Sequence, residues 1–155
     1  MPRSIARDRQ VNRAELEAFI RPRHRGLLIT HRRGGGIQTS PVTIGLDSQD
    51  RIVVASYPDR AKSRNLRRNS QASVCVLSDE WNGEWVQVDG TAELIDLPEA
   101  VEPLVDYFRV ISGEHSDWDE YRQAMVDQGK VLIRITIERW GPISRGGFPA
   151  RLADG

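Results

Sequence analysis

The chain has one cysteine, no long apolar run and no net charge, and each shortage closes off a class of protein. Cys75 cannot form a disulfide within the chain or join a cysteine cluster around a metal, and inside Ser73-Val74-Cys75-Val76-Leu77 it reads as an inert buried thiol. His24, His31 and His115 stand at no ligand spacing from one another or from nearby carboxylates, so no metal is expected. No stretch approaches the roughly 20 apolar residues that cross a bilayer. The first residues carry Arg3, Arg7, Arg9 and Arg13 with no apolar signal core behind them, so a cytoplasmic protein without membrane association is expected. There is no Ser-His-Asp grouping, no Cys-His pair, no recognisable carboxylate pair and no internal repeat. Any enzyme chemistry would therefore come from a bound cofactor.

Aromatic residues are only 6% of the chain and are nearly absent from its basic segments, which speaks against a nucleic-acid interface. What is present is an ordinary globular balance. At 155 residues, 39% hydrophobic and 28% charged, the chain is long enough for one domain with a substantial core. Its charges are uneven: residues 1–33 hold nine arginines against Asp8, Glu15 and Glu17, while residues 79–127 hold fourteen acids against Arg109 and Arg122. A local basic patch on a neutral protein fits a small polyanionic ligand or pairing between subunits.

Asn12-Arg13-Ala14-Glu15 has the form of a capping box, followed by Leu16, Phe19 and Ile20 at helical spacing. Gly26 to Thr30 reads as a strand, Gly34-Gly35-Gly36 as a turn, and Ile37 to Leu46 as a second strand interrupted at Pro41. Gln38, Thr39 and Ser40 beside that interruption could hold a planar polar ring by its edge, or could be an ordinary edge strand. Ile52 to Ala55 and Ala72 to Leu77 are further strands. Glu84 to Ile95 alternates with period two across Gly90 and predicts a long strand bent there, as barrels need. Pro98 suits the first turn of a helix lined by Val101, Leu104, Val105 and Phe108, and a second helix is expected over 117–128 with Trp118, Tyr121 and Met125 as core. Val131 to Trp140 is the last clear strand, and residues 141–155 form a tail without periodicity. The whole predicts a mainly β (α+β) domain over 1–140, built as a small six-stranded antiparallel barrel with short flanking helices.

The chain is organised around Ala55 to Arg68, where an apolar strand meets Pro58-Asp59 and then five basic residues without an acid. Asp59 is expected to cap a short helix, placing Lys62 and Ser63 at its start. Free N–H groups, Arg60 and Lys62 would then suit a phosphate, and a solvated basic helix is the alternative.

Three segments together, Arg60-Ala61-Lys62-Ser63-Arg64-Asn65-Leu66, Trp85 to Ala92 and Gly113 to Arg122, resemble the pyridoxamine 5'-phosphate oxidase-like split β-barrel proteins, specifically the actinobacterial branch of oxidoreductases that depend on the deazaflavin coenzyme F420. The resemblance spans about residues 14–140. It implies a homodimer with two cofactor sites in grooves between subunits, and hydride transfer from the reduced deazaflavin to a conjugated or unsaturated small-molecule acceptor. It carries phosphate binding onto Arg60 and Lys62 with Ser56 and Asn65 close by, ring contact onto Gln38, Thr39, Ser40, Pro41 and Val42, and a contact from the partner subunit onto Trp85. The Arg-rich start would supply basic surface for the coenzyme's oligoglutamate tail. No side chain is assigned a catalytic role, although Tyr57 is a candidate proton donor by position. FMN is the alternative cofactor, and a non-catalytic flavin or tetrapyrrole carrier the alternative function.

Overall fold

A computed structural model describes residues 4–152. Strands β1 (Arg7–Arg9), β2 (Arg25–His31), β3 (Ile37–Thr43), β4 (Gly45–Leu46), β5 (Ile52–Ser56), β6 (Gln71–Leu77), β7 (Trp85–Ile95), β8 (Val131–Trp140) and β9 (Ile143–Arg145) alternate with helices α1 (Arg13–Ile20), α2 (Ala61–Arg68), α3 (Val101–Ser112) and α4 (Trp118–Gln128). Seven strands follow one antiparallel path, β3-β2-β6-β7-β8-β5-β4. The sequence predicts six, and the seventh is the two-residue β4. It is the far end of the Ile37–Leu46 segment, cut off where the Ile44 N–H bonds the His24 carbonyl at 2.9 Å. The first part of this segment pairs with β2 and its end with β5, so one stretch of chain joins both ends of the path and gives the split β-barrel.

Strict alternation fills the barrel. Gly26, Leu28 and Thr30 of β2, Ala72, Val74 and Val76 of β6, and Val86, Val88 and Gly90 of β7 point inward and are buried. Each fully buried Leu or Ile contributes about 1.5–3 kcal/mol. β7 bends at Gly90, where its register against β8 shifts. A Cβ at Gly90 would stand 2.0 Å from the Thr136 carbonyl oxygen, so only glycine permits this approach. Helix α1 has the expected capping box, with the Asn12 side chain accepting from Glu15 N–H at 2.9 Å and Asn12 N–H donating to the Glu15 carboxylate at 3.1 Å. It buries Leu16, Phe19 and Ile20 in the barrel core, and α2 adds Leu66.

A second, smaller core lies on the outside of β5 and β8. Val53 and Leu132 point away from the barrel and pack under Leu104 and Val105 of α3 and Tyr121 and Met125 of α4. Both strands are thus buried on two faces. The outer face of β3-β2-β6-β7 differs, because Leu27, Ile29, Cys75 and Leu77 are only half-buried and Ile37 and Trp85 are exposed.

Four expectations need correction. Cys75 is half-buried on the outer face of β6 rather than buried in the core. Asp59 does not cap α2: the N-cap is Arg60, without a side-chain cap, because Tyr57-Pro58-Asp59-Arg60 closes as a turn with Arg60 N–H on the Tyr57 carbonyl at 3.2 Å. The third helix starts at Val101 rather than at Pro98. Pro98 lies in a preceding turn, and Pro103 occupies the first helical turn, where its missing N–H has no partner to lose. The tail is not wholly irregular, since β9 pairs with β1 and Ile143 is buried. Residues 153–155 of that tail, and Arg3 of the Arg-rich start, lie outside the described residues. Among the described residues no helix is long and apolar enough to cross a membrane, and no group of His, Cys, Asp and Glu is arranged to hold a metal.

Candidate functional site

Chain order brings β5 out of the barrel at Ser56, turns it at Pro58, and starts α2 against the edge of β3. A cleft of about 370 Å³ opens there, walled by Pro41, Val42 and Thr43 of β3, Ala55 of β5, Lys62 of α2, Tyr107 of α3, Tyr121, Met125 and Gln128 of α4, and Lys130 at the start of β8. Two features of its lip bear on what it can hold. The start of α2 has no capping side chain, so its first-turn N–H groups keep their donor capacity and partial positive charge. Arg60, Lys62 and Lys130 form no ion pair, a state they share among the described residues with Arg7, Arg23, Arg32, Arg33, Arg64, Arg68, Arg139, Arg145 and Arg151; what sets the three apart is that they gather around this one cleft.

Burial pushes the Lys62 ammonium below its usual lysine value, and the Arg60 charge beside it pushes the same way. Both effects penalise a cation that has no anion, and a bound anion would relieve them. Burial raises the Tyr107 phenol, with a hydrogen bond from the Ala55 backbone pulling it partly back. It also raises Tyr121 to about 12, with Tyr107 adding to the effect. The two hydroxyls donate to the Thr43 and Leu104 carbonyls at 2.8 and 2.9 Å, so they brace the walls as neutral donors.

The residues singled out in the sequence sort into three groups. Pro41, Val42 and Lys62 line the cleft, and Arg60 stands exposed on its lip with its guanidinium 6.0 Å from the Tyr57 ring centroid. Gln38, Ser40, Ser56 and Asn65 instead form the framework behind it. Asn65 Nδ2 donates to Thr30 Oγ1 at 3.1 Å, Thr30 Oγ1 donates to Gln38 Oε1 at 3.1 Å, and Gln38 Nε2 donates to Ser40 Oγ at 2.7 Å and to the Thr39 carbonyl at 3.2 Å. Ser63 Oγ donates to the Tyr57 carbonyl at 2.7 Å and lies 3.4 Å from Ser56 Oγ. Ser56, Ser63 and Asn65 are buried, so they set the angle at which α2 leaves the strand. Thr39 is exposed on the same strand.

Trp85 falls elsewhere. It projects from the outer face of β7 into a hollow of about 550 Å³ with Cys75, Leu77, Trp81 and Phe148. Within one chain it does not meet Lys62. Four of the eight described arginines of the Arg-rich start are ion-paired, Arg9 with Glu84, Arg13 with Glu17, Arg21 with Asp50 and Arg25 with Asp79, while Arg7, Arg23, Arg32 and Arg33 are not. At the α2 cleft Lys62 and Lys130 line the wall with no acidic residue beside them.

Tyr107, Gln128 and Lys130 had no place in the sequence reading of the site. Their proximity to β3 depends on how the α3–α4 hairpin folds back, and no local pattern encodes that. One signal was available for Lys130. The chain has two lysines among twenty-two basic residues, and both line this cleft.

The family model described as Pyridoxamine 5'-phosphate oxidase matches residues 13–144. Among solved structures, a conserved hypothetical protein from Mycobacterium tuberculosis aligns with a TM-score of 0.71 at 23% identity, covering 90% of this chain and 89% of that one. A protein described as an F420 reductase aligns at 0.61 and 17% identity, covering 80% and 94%. A FAD-binding protein from Mesorhizobium loti aligns at 0.66 and 19% identity, covering 92% and 100%. At these identities the three structures speak to the fold alone.

Proposed function

Because the chain belongs to the pyridoxamine 5'-phosphate oxidase family, we propose that it is an oxidoreductase that holds a flavin-like cofactor in the α2 cleft, with coenzyme F420 as that cofactor. The observation that carries this reading is the uncapped start of α2, flanked by the unpaired Arg60 and Lys62 and set beside the free edge of β3. A phosphate fits there, since first-turn N–H groups and two cations converge on one point. β3 ends the strand path, so its outer edge offers unpaired backbone groups to a ring laid alongside Gln38 to Val42. The F420 assignment draws support from the Arg60 to Leu66 segment and from the structural likeness to an F420 reductase.

The bound coenzyme supplies a hydride for a conjugated or unsaturated acceptor such as an enone, quinone, coumarin or tetrapyrrole. The chain's own residues bind and orient. Lys62 and Arg60 fix the phosphate end, the β3 edge fixes the ring, and Tyr107, Tyr121 and Met125 narrow the water-filled volume beside it. The proton at the acceptor comes from solvent or from Tyr57.

The protein is further proposed to act as a homodimer. Leu27, Ile29, Cys75 and Leu77 form an apolar patch on the outer face of β2 and β6, where no residue is buried, and Leu27 pairs directly with Pro41 of β3. A second copy seated there would wall the cleft and could carry its own Trp85 toward it.

Purified protein should be titrated with F420 and with FMN, and any co-purifying chromophore identified by mass spectrometry. Saturable F420 binding followed by oxidation of the reduced form on adding an acceptor supports the proposal. Co-purifying FMN with oxygen consumption supports the FMN reading. Binding without turnover across the panel points to a carrier, and no binding of either coenzyme removes the reading altogether.

A further inference from the structure

The chain uses arginine for nearly all its positive charge, yet its two lysines, Lys62 and Lys130, come from distant parts of the sequence to one cleft. They do not occupy equivalent places. Lys62 lies in the first turn of α2 beside Arg60, and Arg60 is the neighbouring charge that disfavours its ammonium. Lys130 follows the left-handed Gly129 that ends α4, and its ammonium sits 4.2 Å from the centroid of the Tyr57 ring. The Arg60 guanidinium is 6.0 Å from the same centroid. Tyr57 is thus a shelf between two cationic positions, one belonging to α2 and one to β8.

A single phosphate would not need both. A phosphate monoester such as that of FMN carries about −1.5 to −2 charges, the phosphodiester of coenzyme F420 only about −1, and a helix N-terminus supplies about half a positive charge. Arg60, Lys62 and the start of α2 therefore already balance such a group. Lys130 remains a third cation, half-buried and without a carboxylate among the described residues. Its stacking on Tyr57 returns only a modest cation–π energy at a partly exposed site.

We infer that Lys130 and Tyr57 form a second anion subsite, so that the cleft selects a cofactor carrying a further carboxylate or phosphate beyond the ribityl phosphate. This rests on the cofactor cleft proposed above and deepens it, because FMN has one anionic group and would leave Lys130 idle. Coenzyme F420 offers carboxylates and FAD a second phosphate. Either would bring a second anionic group for which Lys130 is the available cation.

The test is a calorimetric titration of FMN, FAD and F420 into the full-length wild type, Lys130→Met and Lys130→Arg, each repeated across a salt series, with circular dichroism to verify the fold. Lys130→Met is expected to weaken F420, FAD or both roughly tenfold or more while leaving FMN within about twofold, and Lys130→Arg to restore most of the loss. Loss confined to F420 identifies the anion as a carboxylate, and loss confined to FAD identifies it as a phosphate. Equal loss for all three ligands would make Lys130 part of the phosphate corner or of the scaffold and overturn the inference, as would unchanged affinity for every ligand. If the wild type bound FMN alone, the subsite would fall while the cleft stood. If it bound none of them, the cleft itself would fall.

Discussion

Asn65 and Thr30 are joined by a buried hydrogen bond, amide to hydroxyl at 3.1 Å, which ties α2 to the middle of the barrel. Thr30 is completely buried and passes the connection to Gln38, so the helix bearing Lys62 and the strand edge bearing Pro41 are held in register by one hydroxyl. Replacing Thr30 by Val leaves the Asn65 amide buried without this acceptor and should cost about 1–3 kcal/mol in urea unfolding. A cycle with Asn65→Leu should show a coupling of about 0.5 kcal/mol or more. Strict additivity would mean that the two residues do not act through each other.

Lys62 lies one turn before Asn65 on α2 and lines the cleft. Lys62→Ala should weaken binding of the phosphate-bearing coenzyme by about 1.5–3 kcal/mol, read by titration, because it removes a charge-assisted bond. The apo protein should be no less stable. The folded-state pKa of Lys62 is depressed, so the free fold disfavours this charge below that pKa and gains stability as pH rises through it. Unchanged coenzyme affinity would remove Lys62 from the site.

Much of this architecture is written in local pattern. Short apolar runs mark β2 and β6, period-two alternation marks β7 and β8, the capping box marks α1, and Gly90 marks the bend, because each depends on residues close in sequence. What was illegible is non-local. The three-residue strands β1 and β9 exist because Asp8 meets Ser144, with Ser144 Oγ donating to the Asp8 carboxylate at 2.7 Å, and neither segment has enough alternation to announce itself. Asp59 failed as a cap because the turn after Tyr57 takes it first. In the site, the basic α2 segment was visible as composition. The framework role of Asn65 and the arrival of Lys130 required the packed structure.

Gly90→Ala tests the bend directly. The added methyl would collide with the Thr136 backbone oxygen, which no side-chain rotation can relieve, so the β7–β8 register must shift or open. A loss of about 3 kcal/mol or more is expected, at or above the upper end of ordinary overpacking, and thermal or urea unfolding reads it. A near-neutral result would place the bulge elsewhere in solution.

Tyr121 predicts an alkaline weakness. Burial raises its folded-state pKa to about 12, against 10.0 for an unperturbed tyrosine, so between these values the unfolded state releases a proton that the folded state keeps. The unfolded state then binds fewer protons, and stability must fall as pH rises through that window. Tyr121→Phe should flatten this fall while losing the bond to the Leu104 carbonyl at all pH values. Tyrosinate absorbance during alkaline titration, with unfolding followed in parallel, separates the two effects. Ionisation of Tyr121 near pH 10 in the folded protein would contradict its burial.

Leu27 is the point at which the proposed dimer can be broken without touching the core. It points outward from β2, between Pro41 on one neighbouring strand and Cys75 on the other, and is half-buried in the single chain. A glutamate there stays solvated in a monomer but would be stranded in a dry interface, at a cost of several kcal/mol. Leu27→Glu should therefore elute as a monomer by light scattering with its circular dichroism unchanged. Coenzyme affinity should drop with it, because the wall contributed by the second copy is lost although every residue of the α2 cleft remains. A wild type that is monomeric at micromolar concentration, or a monomeric variant that binds coenzyme as tightly as before, would show that one chain suffices to build the site.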